Sequence, residues 1–190
     1  MAQKGKVVAG ASGALCAVAS MIAIVLSNGH VRTNEAGLKL IGNYESCHRD
    51  PYQCPANKWT DGLGNTTGVT PGVRKTDKQI AKDWERNILA AETCINQHFR
   101  GKDMSDDTFS AMTSAAFNMG CGGLKTYYSR ARGIRVETSI HKWAQKGQWV
   151  NMCNHLPDFS SAGGRVLPGL KARRASEQRL CLSGVEHAKN

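Results

Sequence analysis

The sequence predicts an α+β protein: a small irregular β-region near the start of its domain, a mainly helical remainder, and one apolar segment in front. Three observations predict this class: an uncharged run at 7–26, a glycine-rich stretch at 47–72, and two long helical stripes of apolar residues behind it. The chain has 190 residues, 41% of them hydrophobic, which excludes a disordered protein. We expect an N-terminal segment, 1–27, followed by one domain, 28–190.

The apolar run from Val7 to Leu26 is long enough to cross roughly 30 Å of hydrocarbon as a helix. Lys4 and Lys6 precede it, so the positive-inside rule keeps the N-terminus in the cytoplasm and exports the chain after Ser27. Ten of the run's twenty residues are Gly, Ala or Ser, so its hold on a bilayer would be weak. A releasable anchor, a cleavable signal peptide and a small-residue helix-packing face are the open interpretations.

The cysteines and the net charge also indicate export. Seven cysteines are typical of an oxidising compartment. One of them, Cys16, lies inside the apolar run, and no other cysteine could pair with it while that run stayed in the bilayer. The six others are Cys47, Cys54, Cys94, Cys121, Cys153 and Cys181. A net charge of +10 favours a polyanionic partner, which for an exported protein is the cell envelope and not nucleic acid.

The first helix of the domain is predicted to begin after Asn34 or Thr33, either of which can cap it. Leu38 and Ile41 share one face, and Glu45 continues that face. A carboxyl is thus aimed toward the interior, where burial would raise its pKa toward the range that a general acid needs. The simpler interpretation is a helix-end glutamate bound by an arginine or a backbone amide.

The glycine-rich stretch that follows predicts a small β-region with Asp61 and Gly62 in its hairpin turn. Behind it, Thr76 and Gln79 form a capping box. The apolar positions of the long helix that they begin are Ile80, Trp84, Ile88, Ala91, Ile95 and Phe99.

A second long helix is predicted from a stripe that ends at Gly120. Its apolar positions are Phe109, Met112, Ala116 and Met119. Two shorter helices are predicted around Trp143 and over 170–182.

The residues after the first helix carry a recognisable spacing: Glu45, eight residues, Cys54, five residues, Thr60. With the segments 59–64 (WTDGLG) and 115–120 (AAFNMG), this pattern resembles the phage-type lysozymes of glycoside hydrolase family 24. The whole chain, with its apolar run, resembles the signal-anchor-release (SAR) endolysins, whose anchor leaves the membrane uncleaved. The resemblance implies a lysozyme-like fold.

The resemblance also implies a role for each motif residue. Glu45 would protonate the glycosidic oxygen, and Thr60 would position a water on the opposite face of the sugar. Cys54 stands where most relatives have Asp, and a thiol with a pKa of about 8.5 acts as an anion only where positive groups lower that pKa. The nearest candidate groups in the sequence are His48, Arg49 and Lys58.

A thiol switch is a further implication. In the membrane-held form, a Cys47–Cys54 disulfide would block the catalytic thiol; after release, Cys16 would attack Cys47 and displace Cys54, with the number of disulfides unchanged. Release would follow depolarisation, because moving each positive charge outward costs about 2.3 kcal/mol per 100 mV. The pairing of four cysteines stays open: Cys94, Cys121, Cys153 and Cys181.

Other chemistry fits the sequence less well. Cys47, His48 and Cys54 lack the spacing of a zinc site, and no G-x-S-x-G motif supports a serine hydrolase. A basic cluster near the C-terminus is expected to face the anionic envelope or to pair with Glu177; it consists of Lys171, Arg173, Arg174 and Arg179.

We therefore predict a phage endolysin that hydrolyses the β-1,4 bond between N-acetylmuramic acid and N-acetylglucosamine in peptidoglycan. It would be a monomer without cofactor, metal or nucleic acid. It would sit on the periplasmic face of the host inner membrane while inactive and enter the periplasm when active. A lytic transglycosylase and a non-catalytic wall-binding module are the alternatives. Thr60, at the position that holds a water, argues against a transglycosylase. Glu45 and Thr60 together argue against a non-catalytic module, whereas Cys54 in place of Asp favours such a module.

Overall fold

A computed structural model describes residues 15–54 and 57–187. Most of the predicted export run, together with Lys4 and Lys6, lies outside these residues. The described helices are α1 (Val18–Asn28), α2 (Glu35–Asn43), α3 (Asp77–His98), α4 (Asp106–Lys125), α5 (Ser139–Gln145), α6 (Trp149–Asn154) and α7 (Pro168–His187). Three antiparallel pairs of strands accompany them: β1 (Cys47–Gln53) with β2 (Trp59–Leu63), β3 (Thr126–Ser129) with β4 (Ile134–Glu137), and β5 (Ser161–Ala162) with β6 (Arg165–Val166).

The end of the apolar run is packed into the domain. Met21, Ile22 and Val25 of α1 are buried against α2 and the first half of α3. Among the helices of the described residues, none combines the length and the hydrophobicity of a membrane span. The structure thus places the last residues of the predicted anchor in the core of the domain.

The linker after α1 is held on α3 by one buried carboxylate, Glu85. Asn28 Nδ2 and His30 Nδ1 each lie 2.5 Å from one of its two oxygens. Burial raises the pKa of Glu85, but the hydrogen bonds from Asn28 and His30, with the charge of His30, outweigh burial and bring this pKa below its ordinary value.

This contact should make the docking of α1 sensitive to acid. A carboxyl with a lower pKa in the folded than in the unfolded state contributes stability above the ordinary value of 4.5 and loses it as the pH falls through the folded pKa. Glu85→Gln should lower the free energy of unfolding by about 1–2 kcal/mol at neutral pH and flatten its decline in acid. Denaturant unfolding between about pH 3 and pH 7 measures both effects. Parallel curves for parent and variant would contradict the prediction.

The helix α2 begins and packs as predicted. Asn34, rather than Thr33, is the cap: its side-chain oxygen accepts from the Gly37 N–H at 3.0 Å. Leu38 and Ile41 are fully buried. The helix ends at Asn43, so Glu45 lies just beyond it.

The predicted β-region is present, and Asp61-Gly62 lies in a tight turn as well as at the end of β2. Asp61 and Asn65 exchange two backbone hydrogen bonds of 2.9 Å around a three-residue loop that begins at Gly62, whose φ is +53°. The connection from β1 to β2 is closed by the Cys54 N–H, which donates to the Lys58 carbonyl at 3.0 Å. Asp61 itself is buried, and its carboxylate lies 2.8 Å from Lys75 Nζ.

The two long helices are confirmed. Thr76 and Gln79 form the capping box that begins α3. In α4, Gly120 has φ 73° and ψ 153°, which ends the regular helix where the sequence predicts its end, and a further helical turn follows this kink to Lys125. Immediately after Gly120, a disulfide between Cys121 and Cys94 holds α4 beside α3.

Three disulfides take up six of the cysteines: Cys16–Cys47, Cys94–Cys121 and Cys153–Cys181. The last two answer the open question of pairing and cross-link α3 to α4 and α6 to α7. Cys16–Cys47 ties the N-terminal segment to the first residue of β1, where the Cys16 N–H also donates to the Cys47 carbonyl at 3.1 Å.

Candidate active site

Glu45 follows α2 directly and projects from its end. Its side chain is 22% exposed, and Oε1 lies 2.9 Å from an Nη1 nitrogen of Arg173 on α7. The simpler interpretation from the sequence, a helix-end glutamate bound by an arginine, is therefore correct in its geometry. It does not exclude catalysis, because this ion pair fixes one carboxyl oxygen and leaves the other directed elsewhere.

The second oxygen of Glu45 faces the backbone just after β2. A Cβ atom built on Gly64 would lie 2.8 Å from Oε2, closer than real contacts allow. Gly64 also has φ +68°, a conformation that glycine adopts at little cost. The glycine thus makes room for the carboxyl, and Glu45 is held between Arg173 and this strand end.

Gly64 offers a test of that contact with a matched control. Gly64→Ala and Gly68→Ala should carry the same backbone strain of about 1 kcal/mol, because Gly68 has φ +66°. Nothing lies within 4 Å of a Cβ at Gly68, so only Gly64→Ala should displace Glu45. We expect the rate of wall clearing to fall by about 10²-fold for Gly64→Ala and to change little for Gly68→Ala. Equal rates would show that the approach to Glu45 is unimportant.

Cys54 and Thr60, the two other residues of the motif, belong to the hairpin that follows Glu45: Cys54 comes directly after β1, and Thr60 lies on β2. Tyr52 on β1 pairs with Thr60 on β2. Burial raises the pKa of the Tyr52 hydroxyl, and the negative charges of Glu45 and Cys54 raise it further. Tyr52 was not among the residues predicted for the site, although its alternation with Gln53 at the end of β1 predicts that it faces the same side as Thr60, its partner on β2.

Thr60 is buried, and its hydroxyl donates to the Lys58 carbonyl at 3.2 Å. This hydrogen bond fixes the side chain within the turn. A hydroxyl oxygen that donates its hydrogen still offers lone pairs, so Thr60 retains the acceptor needed to hold a water.

The three basic groups near Cys54 in the sequence have different surroundings. The His48 ring lies 4.5 Å from the Tyr52 ring. Arg49 is turned to the opposite side, where it binds Asp77 at 2.8 Å and the Leu15 carbonyl. The contact of Lys58 with Cys54 is made by its backbone carbonyl. Of these groups, His48 is the one whose side chain contacts the residues of the site.

Arg173 is itself held by a buried carboxylate, Glu177. Arg173 Nε lies 3.1 Å from Glu177 Oε1, and Arg174 Nε lies 2.9 Å from Glu177 Oε2. The Ser114 hydroxyl donates to the same carboxylate at 2.7 Å. All three charged side chains are at most 3% exposed. Two residues of the basic cluster, Arg173 and Arg174, pair with Glu177 as predicted, and Arg173 is the arginine that binds Glu45.

Glu45 lies between two depressions in the surface. One, of about 340 Å³, lies between the end of β2 and the helices α3 and α4, and Gly64 and Gly120 are part of its wall. The other, of about 430 Å³, includes Glu45, Asn118 and Arg173. Two depressions on either side of one carboxyl fit an extended polymer better than a compact ligand. Within residues 15–54 and 57–187 no group of three His, Cys, Asp or Glu side chains is placed to hold a metal ion.

Comparison with known proteins agrees with this arrangement. Residues 42–177 match the phage lysozyme family. The chain is 73% identical over 182 residues to a SAR-endolysin of Escherichia phage P1, which covers 96% of this chain and 98% of that protein. It is 50% identical over 145 residues to a SAR-endolysin of Haemophilus phage HP1, which covers 76% of this chain and 78% of that protein.

Two crystal structures of the P1 phage endolysin Lyz, at 74% and 73% identity, give a sharper comparison. The active form matches with a TM-score of 0.89 and covers 92% of this chain and 98% of that chain. The secreted inactive form matches with a TM-score of 0.62 and covers 80% of this chain and 97% of that chain. The conformation described above is therefore closer to the active form.

Proposed function

This chain belongs to the phage lysozyme family, as its motif predicted, and from that membership we propose that it is a phage endolysin that lyses the host cell. Its fold is lysozyme-like, and its chemistry is that of a lysozyme-type hydrolase. The proposed substrate is peptidoglycan, and the proposed bond is the β-1,4 linkage between N-acetylmuramic acid and N-acetylglucosamine. The enzyme would act as a monomer and need no cofactor.

The position of Glu45 carries this proposal: it lies at the end of α2, held by Arg173 and facing Gly64, and the hairpin that bears Thr60 follows it. Glu45 protonates the glycosidic oxygen as the bond to the anomeric carbon breaks. Thr60 holds the water that attacks from the opposite face, and Cys54 as thiolate stabilises the developing positive charge or accepts the proton of that water. Arg173 acts as a positioning residue, because it fixes one oxygen of Glu45.

Regulation and location form a second part of the proposal. The disulfide Cys16–Cys47 is the pairing expected after release, and the similarity to the active form of the P1 endolysin supports the same assignment. Before release, the N-terminal segment would hold the protein on the periplasmic face of the inner membrane, with Cys47 paired to Cys54. Depolarisation would then let the segment leave the bilayer and the enzyme enter the periplasm.

Analysis of the reaction products tests the proposed bond and chemistry. Purified peptidoglycan is incubated with the full chain, and the released fragments are identified by mass spectrometry, with Glu45→Gln as the blank. Hydrated reducing ends on muramic acid are the expected result. Ends with a 1,6-anhydro ring would assign the protein to the lytic transglycosylases. Binding to the wall without any fragments would leave a non-catalytic wall-binding module.

A further inference from the structure

The hairpin formed by β3 and β4 has no part in the site described above. It follows α4 directly, within six residues of Gly120, which is part of the wall of the groove of about 340 Å³ near Glu45. Its base is fixed: the Thr138 N–H donates to the Lys125 carbonyl at 2.9 Å, and the Thr138 hydroxyl donates to the buried Leu124 carbonyl at 2.7 Å. The hairpin is therefore an anchored projection at one end of the groove.

The side chains of this hairpin are exposed on both of its faces. Tyr127 and Ile134 lie on one face and are 54% and 57% exposed, while Tyr128 on the other face is 59% exposed. An isolated two-stranded hairpin that buries neither face adds little to a core. Large aromatic side chains held at such positions are typical of a surface that binds a partner.

The hairpin is also strongly basic. Between residues 125 and 137 the cations are Lys125, Arg130, Arg132 and Arg135, against one acid, Glu137. Glu137 is engaged by His141 at 2.6 Å. Arg130 and Arg132 lie in the exposed turn, and Arg135 is held against the Thr126 hydroxyl at 2.8 Å, beside its cross-strand partner Tyr128. The arginines at the tip can bind carboxylates through two parallel hydrogen bonds. The tyrosines, one on each face of the hairpin, can stack on sugar rings.

We propose that this hairpin is a second binding site for peptidoglycan, outside the groove that carries the cleavage chemistry. The tip arginines would pair with the carboxylates of the stem peptides, and the tyrosines would stack on sugars of an uncleaved strand. This inference rests on the proposed function. A bilayer fits the same residues less well, because a hairpin that enters lipid carries its apolar residues at the tip, whereas here the tip is Arg130-Ala131-Arg132.

Sedimentation with purified peptidoglycan tests the site in the full chain carrying Glu45→Gln, so that the wall is not degraded. Arg130→Gln/Arg132→Gln and Tyr127→Ala/Tyr128→Ala should each weaken binding by about ten-fold at low salt, and the arginine effect should shrink as salt is added. Lys78→Gln/Lys82→Gln, on the exposed side of α3, removes the same charge and should bind like its parent.

Two results would overturn the proposal: unchanged wall binding by both hairpin variants, or an equal loss of wall binding in the Lys78/Lys82 control. If wall binding is unchanged and the hairpin variants instead lose binding to phosphatidylglycerol vesicles, the hairpin is a membrane contact. The proposed function is tested separately, by the clearing of peptidoglycan by the chain that retains Glu45. That chain should clear the wall even if the hairpin variants sediment normally.

Discussion

Replacing Glu45 by glutamine is expected to lower the initial rate of peptidoglycan clearing by about 10³-fold, because a positioned general acid contributes about 10²–10⁴-fold. The amide has nearly the size of the carboxyl and keeps an oxygen that accepts from Arg173. Arg173 also retains Glu177 as a partner, so the substitution does not strand a buried charge. What the variant lacks is a proton that it can transfer to the leaving oxygen.

The same substitution at Glu35 is the matched control. Glu35 is the first residue of α2, the helix that ends just before Glu45, and its substitution removes the same charge. Its ion pair is at the surface, with Lys39 at 2.6 Å. Glu35→Gln should clear the wall at the parental rate. Turbidity loss gives the rates, and thermal unfolding shows that both variants are folded. A folded Glu45→Gln that retains more than about a tenth of the parental rate would remove Glu45 from the role of general acid.

The parts of the fold that the sequence predicted well depend on short-range signals. Asn34 caps α2 because its side chain reaches an N–H three residues ahead, and Thr76 and Gln79 begin α3 by the same local exchange. The motif Glu45, Cys54, Thr60 is equally local, since it spans one helix end and one hairpin. Such signals are readable because the interacting groups are close in the chain.

The missed features depend on contacts between distant residues. Arg173 lies 128 positions from Glu45 and reaches it because α7 packs against α4 and α2. Asp61-Gly62 lies in a tight turn as its composition predicts, but the ion pair of the buried Asp61 with Lys75, 14 positions away, has no local signal. The hairpin β3–β4 was not predicted at all, because its exposed residues do not alternate between apolar and polar in the way that a half-buried strand does.

The geometry of β1 adds a physical reason for the proposed lock. Cys47 and Gln53, the two ends of β1, pair with Leu63 and Trp59, which are four residues apart on β2, so Cys47 and the Cys54 that follows Gln53 are separated by more than about 10 Å. A disulfide needs a separation below about 7 Å. A Cys47–Cys54 disulfide is therefore incompatible with β1 as described, and it would also remove the pairing of Tyr52 with Thr60. The lock would dismantle the site as well as block the thiol.

Replacing Cys16 by serine is accordingly expected to give an exported protein that does not lyse cells after depolarisation. Without the Cys16 thiol, nothing within the chain displaces Cys54 from Cys47, and β1 does not form. Clearing of purified peptidoglycan by this variant should be lower than the parental rate by about 10²-fold or more, since displaced catalytic groups lose at least that factor. A mild reductant should restore the rate, because it opens the Cys47–Cys54 bond directly.

The double variant Cys16→Ser/Cys47→Ser separates the switch from a simple loss of stability. Both variants lack the Cys16–Cys47 disulfide, which joins residues 31 positions apart and contributes about 3.7 kcal/mol in the chain-entropy account. If Cys16 matters only because its disulfide with Cys47 stabilises the fold, the double variant should be as inactive as the single one. If Cys16 acts by displacing Cys54, the double variant cannot form the lock, and it should clear peptidoglycan without reductant and lyse cells without the parental delay. A Cys16→Ser protein that lyses cells as fast as the parent would show that Cys16 has no regulatory part.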